Sequence, residues 1–466
     1  MMTPQDIPLY EEVVNGFNRL SAADALGRES SDLRKTRQSA FERFRESGFP
    51  TIKNEDWKYT NIARFLKEEY ALGGLQGGVT ADGGDAEWGG HAAAVRVAVE
   101  KARVAELDAY IVLLVNGVWQ KEDAGELPKG VELLTVAEAR QDPALSVYFE
   151  RPADGRERYF AALNTALFSD GLFIRVDAGA LPEKPIHIIH VFTGDRNLLV
   201  QPRHVWVANR QAELKVIESI VTAGGGTAGG VTAGGNAKIW VNSLTEIIVH
   251  QDAKVDHTVV QTPGEGTRLV QHTTVRQKRQ SLYNNYNFTF PGSDLVRNDL
   301  QIRLEEDHTE THLYGLYLAA GQQLVDNHTL VDHQKPACFS NELYKGVLLE
   351  QSTGVFNGKV YVHRDAQKTN AFQQNNNLVI GKKATIDSKP ELEIFADDVK
   401  CSHGSTVGQF SEEALFYLRA RGISEDMAKG LLINAFAFDV TEKIKDPAVE
   451  AHVNQLISQH IPLTHV

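Results

Sequence analysis

More than 200 consecutive residues, from about Leu172 to about Val399, run through short β-branched segments with little helical periodicity. Pro185–Phe192, His204–Ala208, Ile239–Val249, Val255–Gln261, Leu269–Arg276 and Lys359–His363 are examples. Apolar and β-branched residues alternate at Thr245, Ile247 and Val249, and again at Val360 and Val362, the period of a strand with two different faces. Strands at this density build a sandwich, a barrel or a solenoid. The run is too long for one sandwich and no helical pattern interrupts it. The expectation is therefore a mainly β protein around a parallel β-helix, in which equivalent positions of successive turns stack. Asn375, Asn376 and Asn377 suit an internal Asn ladder or a polar turn equally well. No clean period of 20 to 30 residues marks the turns.

Both flanks read differently. Near the N-terminus Leu33, Arg37, Ala40, Phe41 and Phe44 recur at helical spacing until Gly48 and Pro50 stop the pattern. Tyr110 to Trp119 reads as a buried strand with a turn at Asn116-Gly117, and Arg156 to Leu167 as a helix. Past about Val399 three short helices are expected. Ser411 opens one, with Ala414, Leu415 and Leu418 on a face; Ser424 caps the next, with Met427, Leu431, Leu432, Ala435 and Phe438 as its apolar positions. Asp446-Pro447 starts the third, with a stripe of Val449, Val453, Leu456 and Ile457. These stripes must be covered by each other, by the solenoid or by a partner. The expected division is a helical and mixed region over 1–168, a β-helix over 169–408 and a helical domain over 409–466.

Two Gly-rich stretches break the pattern. Pairs at Gly73-Gly74, Gly77-Gly78, Gly83-Gly84 and Gly89-Gly90 read as a linker or mobile loop. Thr222 to Gly235 varies on Thr-Ala-Gly-Gly and has no side chains that repay ordering, so a disordered loop between two strands is expected. No Gly-Lys-Ser/Thr closes it, which argues against a phosphate cradle.

Acidic residues outnumber basic ones, 61 to 48, for a net charge of −13; that balance argues against broad binding of nucleic acid or anionic membrane. The most apolar stretch, Tyr110 to Val115, is far short of a membrane span. Two cysteines, Cys338 and Cys401, and no visible leader suggest a reducing, cytoplasmic setting.

Catalytic signatures are absent: there is no Gly-x-Ser-x-Gly, His-Glu-x-x-His, Walker lysine loop or Cys-x-x-Cys. His328 and His333 beside Asp326 and Asp332 are metal-like in composition, but their spacing enforces no ligand set, and polar-loop histidines are common. His187 and His190 would point to opposite faces of a strand, and His308 and His312 would share a face only on a helix. Cys401-Ser402-His403 is more suggestive, because an extended backbone puts the thiol and the imidazole on one side, two residues apart. Both are ligands for iron or zinc. Two ligands cannot close a tetrahedral site, so the rest would come from elsewhere in the fold or from a second chain. The structural alternative is a small buried cysteine beside a hydrogen-bonded histidine. Cys338 reads as a core thiol.

Asp332-His333 with Pro336 and Tyr344-Lys345-Gly346-Val347 form one recognisable block. Phe356-Asn357-Gly358-Lys359-Val360 through Gln373-Gln374-Asn375-Asn376-Asn377-Leu378 form a second. Ser388-Lys389-Pro390-Glu391-Leu392-Glu393-Ile394 through Cys401-Ser402-His403-Gly404 form a third, followed by Phe416-Tyr417-Leu418 and Arg421-Gly422-Ile423. Together they resemble the SufB/SufD family of iron–sulfur cluster assembly proteins, specifically over Asp326 to Asp439 and more loosely upstream. Glu55-Asp56-Trp57-Lys58-Tyr59-Thr60 and the shortage of cysteine are similar to the SufD branch rather than the SufB branch.

The resemblance implies a right-handed parallel β-helix flanked by N-terminal and C-terminal helical regions. It implies a non-catalytic scaffold subunit paired with SufB through the β-helix ends. It also implies a SufC ATPase docked on the C-terminal helices, for which Phe416, Tyr417, Arg421, Met427 and Leu431 are the expected contacts. His403 matches the family's interface histidine, which helps a SufB cysteine to hold a transient iron–sulfur cluster, and Cys401 matches the adjacent cysteine. No cofactor is expected on the isolated chain. Gly358 and the Asn run are expected to serve turns and ladders. Two rival readings are a β-helix polysaccharide lyase or hydrolase, for which Asp397 and Asp398 make a poor acid/base pair on a strand, and a homodimeric SufB-like scaffold that works without a separate partner; a homodimer of a SufD-type chain is also open, because the β-helix edge is an unpaired ladder.

Overall fold

The computed structural model describes residues 7–22, 29–73, 91–121, 127–150, 159–224 and 237–461. Helices α1 (Pro8–Ala22) and α2 (Ser31–Ser47) open the chain, followed by strand β1 (Ala71–Leu72) and helix α3 (Ala92–Ala102). Next come β2 (Tyr110–Val115), β3 (Val118–Trp119), β4 (Val131–Thr135), α4 (Val136–Ala139), α5 (Pro143–Glu150) and α6 (Tyr159–Leu167). As the spacing predicts, α2 buries Leu33, Arg37, Ala40, Phe41 and Phe44. Ser30 Oγ accepts from Leu33 N at its start, a cap that stabilises by about 1 kcal/mol. Gly48 ends it at φ +62°, a conformation open to glycine at little cost. The expected turn at Asn116-Gly117 joins β2 and β3 as an antiparallel hairpin. The helix expected over Arg156 to Leu167 is present from Tyr159, its first three positions lying outside the described residues.

The solenoid follows as β5 (Leu172–Val176), β6 (Ile186–Phe192), β7 (Leu198–Val200), β8 (Arg203–Ala208), β9 (Glu213–Thr222), β10 (Ile239–Val249), β11 (Lys254–Thr262) and β12 (Thr267–Gln277). It continues through β13 (Leu282–Thr289), β14 (Leu295–Leu304), β15 (Glu310–Ala319), β16 (Leu324–His333), β17 (Phe339–Leu348), β18 (Thr353–Val362), β19 (Thr369–Val379), β20 (Thr385–Ile394) and β21 (Val399–Gly408). From β8 onward, successive strands alternate between two sheets. One runs β20-β18-β16-β14-β12-β10-β8-β5-β4 and the other β21-β19-β17-β15-β13-β11-β9-β6-β2-β3. Every pairing within the stack is parallel, giving about eight turns.

Register partners from β10 to β20 lie 28, 27, 29, 29 and 32 residues apart. Between β9 and β11 the step grows to 41. The Thr222–Gly235 insert sits there, between β9 and β10; residues 225–235 of it lie outside the described residues, as do residues 74–90 of the other Gly-rich stretch. Uneven turns hide the period from the sequence although the stack is regular.

The interior is filled by the alternating inward set, including Val255, Tyr283, Leu313, Tyr344 and Phe356. Helices α1, α2 and α6 cover one outer face around Trp57, Phe160 and Trp240. Helix α3 packs on the other sheet near Ile189 and Val221. Burying one such apolar side chain stabilises by roughly 1.5–3 kcal/mol. The antiparallel β3 and β4 close the N-terminal end of the two sheets.

Three C-terminal helices follow: α7 (Glu412–Ala420), α8 (Glu425–Thr441) and α9 (Pro447–His460), capped by Ser411, Ser424 and Asp446 as the sequence predicts. Helices α8 and α9 pack on Tyr286, Tyr314, Leu316 and Val347, while α7 buries no residue and lies against α8. The stripe of α9 is buried as expected, through Val449, Val453 and Ile457. The stripe read for α8 is corrected. Its inward face is Ala428, Gly430, Ile433, Ala437 and Val440, while Met427, Leu431, Ala435 and Phe438 face solvent. Ala428, Gly430 and Ala437 let the helix sit close against the sheet around Ile433 and Val440, while Met427, Leu431 and Phe438 stay outside.

Candidate functional site

Among the described residues the last two strands, β20 and β21, each have a neighbour on one side only. In a parallel strand the N–H and C=O of one residue point to the same neighbour, and alternate residues point to opposite neighbours. Thr385 N donates to Ser352 O at 3.0 Å and Phe395 N to Val362 O at 2.9 Å, so the odd-numbered residues of β20 bond inward to β18. Ile386, Ser388, Pro390, Leu392 and Ile394 therefore face the open edge. Asn370 N donates to Cys338 O and Ile380 N to Leu348 O, so even-numbered residues of β19 bond to β17 and odd-numbered ones to β21. With Thr369 opposite Val399, the free edge of β21 is formed by Val399, Cys401, His403, Ser405 and Val407.

These five residues also continue the inward-facing columns. Cys401 stands over Ala371, His403 over Gln373 and Ser405 over Asn375, and the three lower residues are fully buried. One turn further in, Gln373 stands over Glu342 and its Nε2 donates to Glu342 Oε2 at 2.7 Å. Ser388 Oγ reaches across the mouth to Asn375 Oδ1 at 2.7 Å and Ser405 Oγ at 2.8 Å. Gly358 lies mid-strand rather than in a turn. A Cβ there would lie 2.4 Å from Gln373 Nε2 and 2.6 Å from the Phe356 ring, so its missing side chain makes room for Gln373.

His403 is exposed, and Cys401 is half-buried against Leu392, Val399, Ala371 and Val360. Both sit on one face of β21, as their spacing predicts. Burial pushes the Cys401 thiol above its usual range, which disfavours the thiolate that binds metal. Burial likewise raises the thiol of Cys338, a core residue as expected. Exposed apolar side chains rim the same end at Phe372, Ile394, Phe395 and Val407, the last two more than half exposed.

The other histidines resolve into pairs. His328 lies 3.0 Å from Asp326, His363 lies 2.7 Å from Asp332, and His333 bonds Ser340 Oγ inside the stack. They stand on or beside strands rather than in polar loops, and among the described residues no three His, Cys, Asp or Glu side chains are placed to hold a metal. His187 and His190 bond Ser219 and Glu218 respectively, from opposite faces of β6. His308 lies in a turn and His312 on β15, so they share no helix face. Asp397 and Asp398 occupy the bend before β21, not a strand. The Asn triplet forms no ladder: Asn375 stands on Tyr344 and Asn377 on Gly346. A ladder step exists elsewhere, where Asn298 Nδ2 donates to its register partner Asn327 at 2.9 Å.

Two buried charge networks were not visible in the sequence. Glu218 accepts from His190 at 2.8 Å and His257 at 2.7 Å inside the solenoid, and those bonds hold its carboxyl far below the usual range against the cost of burial. Arg297 pairs with Asp299 and Asp326 and stacks 3.9 Å from the Trp57 ring. Thr60 Oγ1 donates to Asp326, and Lys389 Nζ lies 2.8 Å from Glu55. The Glu55–Thr60 segment is thus strapped across β14, β16 and β20.

The outward face of α7 and α8 forms a second surface. Phe416 is 74% exposed, and Tyr417, Met427, Leu431 and Phe438 are each about half exposed or more. Arg421 lies 5.0 Å from the Tyr417 ring. Among the described residues no helix is long and apolar enough to cross a membrane.

Residues 190–436 match the SUF system FeS cluster assembly SufBD core domain, and residues 20–188 match the SufBD protein N-terminal region. The chain is 31% identical over 437 residues to an iron–sulfur cluster assembly SufBD family protein of Synechocystis, covering 93% of this chain and 92% of the relative. It is 27% identical over 428 residues to the iron–sulfur cluster assembly protein SufD of Escherichia coli, covering 91% and 92%. A SufBD family protein of Mycobacterium leprae is 36% identical over 181 residues, 37% of this chain and 46% of the relative. The glycan-cleaving alternative falls with these matches. With the two family regions covering the N-terminal part and the solenoid in turn, the chain belongs to the SufBD family and is a component of the SUF iron–sulfur cluster assembly system.

Proposed function

We propose that the chain is a non-catalytic scaffold subunit whose open solenoid end meets a SufB-type partner, with a nascent iron–sulfur cluster held as cargo at the joint. The observation that carries this reading is the position of His403: exposed, on the last strand, with its own backbone on the unpaired edge. An imidazole so placed offers one ligand, and a tetrahedral iron needs others, which a chain seated on the edge would supply. Cys401 is the secondary candidate, since its thiol is half-buried and held protonated. The SufC-type ATPase is assigned to the apolar face of α7 and α8, through Phe416, Tyr417, Arg421, Met427 and Leu431. Exposed aromatic and large apolar side chains beside an arginine suit a protein interface.

The test is co-expression with SufB and SufC, followed by iron and sulfide analysis of the purified complex. His403→Ala is expected to leave the complex assembled and lower its cluster content several-fold; unchanged content removes His403 from the site. The two free strand edges also favour a second reading, self-association when SufB is absent. Sedimentation of the isolated chain distinguishes a monomer from a dimer.

A further inference from the structure

The two strands left open at the end of the solenoid are unequal receptors. Along β21 the outward positions are Val399, Cys401, His403, Ser405 and Val407, each with a backbone N–H and C=O and no intrachain ladder partner on that side. Such a row, repeating every second residue over ten residues, matches another strand and little else. Along β20 the central outward position is Pro390, which has no N–H and places ring methylenes where an incoming carbonyl would bond. Proline costs the inner ladder nothing here, because residue 390 bonds away from β18. One position earlier or later it would remove a bond to Gly358 or its neighbours. At the other end of the stack the border strands are the short antiparallel β3 and β4, of two and five residues, whereas β20 and β21 each offer a ten-residue edge, so among the described residues this end presents the longer edges to a strand.

We propose that Pro390 is a specificity-determining residue of the open end: it confines main-chain pairing with a partner solenoid to a continuous run along β21 and to short flanks of β20, and so fixes which edge of the partner meets which strand. The inference rests on the proposed joint with a SufB-type chain, and its occupant is an edge strand of that chain. In an antiparallel pair, an outward residue exchanges both bonds with the residue opposite. Whatever partner residue faces Pro390 keeps an unbonded carbonyl, which is costly once buried. A symmetric second copy seated β20 on β20 would bring two such gaps together near the twofold axis, which disfavours the copy relative to a different partner.

The test uses the full chain co-expressed with SufB. Ser405→Pro removes one outward donor of β21 and no inner ladder bond. Ser405→Ala removes only the hydroxyl that meets Ser388, and Pro390→Ala restores the missing donor. Capture of SufB is expected to fall at least tenfold for Ser405→Pro, to hold for Ser405→Ala, and to hold for Pro390→Ala, which also self-associates more strongly. Hydrogen exchange on the complex is expected to protect the β21 amides at least tenfold, and those of β20 less. If Ser405→Pro unfolds the chain, as judged by its melting curve, Val407→Pro replaces it, and the exchange measurement on wild type decides independently. Equal capture by Ser405→Pro and wild type, self-association of Pro390→Ala no stronger than that of wild type, or stronger protection on β20 than on β21, overturns the inference alone. A wild-type chain that captures no SufB overturns the underlying reading.

Discussion

His403 is the register partner of Gln373, whose amide in turn holds the buried Glu342 carboxyl. The exposed imidazole is therefore the outermost member of a column that runs into the solenoid, so its backbone is fixed by stacking while its side chain has no turn above it. Removing that side chain deletes little packing. His403→Ala is expected to shift stability by no more than about 0.5 kcal/mol, measured by thermal melting, while cluster content of the complex falls. A large loss of stability would mean that the imidazole is a packing element instead.

The two cysteines differ in access although burial raises both thiols. Cys401 is half-buried at the mouth and Cys338 is 1% exposed. Iodoacetamide at neutral pH is expected to label Cys401 slowly and Cys338 only after denaturation. Partner binding over β21 should then protect Cys401. Peptide mass mapping of the alkylated chain reads both results.

The strap between Trp57, Thr60, Arg297 and Asp326 predicts a large mutational cost. Arg297→Met leaves Asp326 buried without its cation, a change expected to destabilise by about 3–5 kcal/mol. The Arg297 charge draws the Asp326 carboxyl down to about 2, although burial alone would raise it. Because the folded value lies below the ordinary one, this contribution is complete above the usual carboxylate range and is lost as pH falls toward 2. Denaturant melts between pH 2 and 6 should show a steeper acid loss in wild type than in the double variant Arg297→Met with Asp326→Leu.

On α8, two substitutions of the same kind should behave oppositely. Leu431→Asp changes an exposed position and is expected to leave the melting temperature near wild type while SufC no longer co-purifies. Ala437→Asp puts a carboxylate into the 1%-exposed contact with the solenoid and is expected to unfold the helix, with several kcal/mol lost. Retention of SufC by Leu431→Asp would move the docking face elsewhere.

Much of this was legible in the chain. β-Branched segments marked the strands because each is half-buried on a pleated surface, and Ser, Asp, Gly and Pro marked the helix ends. Cys401 and His403 could be placed on one face by spacing alone. Their place at an open end could not, because it depends on which strand is last and on which side its bonds point. The face of α8 was misread because Met427, Leu431 and Phe438 outweigh alanine and glycine in any pattern, yet the buried face combines Ala428, Gly430 and Ala437 with Ile433 and Val440. Glu218 and Arg297 were missed, and Asp326 was read only as a neighbour of His328, because a charged residue on a strand reads as outward, whereas these are buried with partners on other strands.

Glu342 gives the sharpest dependence on pH. It is 2% exposed, and Oε2 accepts from Gln373 Nε2 at 2.7 Å. Burial pushes its carboxyl up to about 7, against the smaller opposing pull of Thr329 and Gln373. Between the ordinary glutamate value and 7 the folded chain holds a proton that the unfolded chain has released. The folded state thus binds more protons, and stability falls as pH rises through that window. At roughly 1.4 kcal/mol per pKa unit the loss approaches about 3 kcal/mol by pH 8. Glu342→Gln keeps the shape and has no charge to bury, so it should match wild type near pH 5 and exceed it at pH 8. Urea melts of the two chains at both pH values measure the difference; parallel pH profiles would show that water or a neighbouring group already neutralises the carboxylate inside the stack.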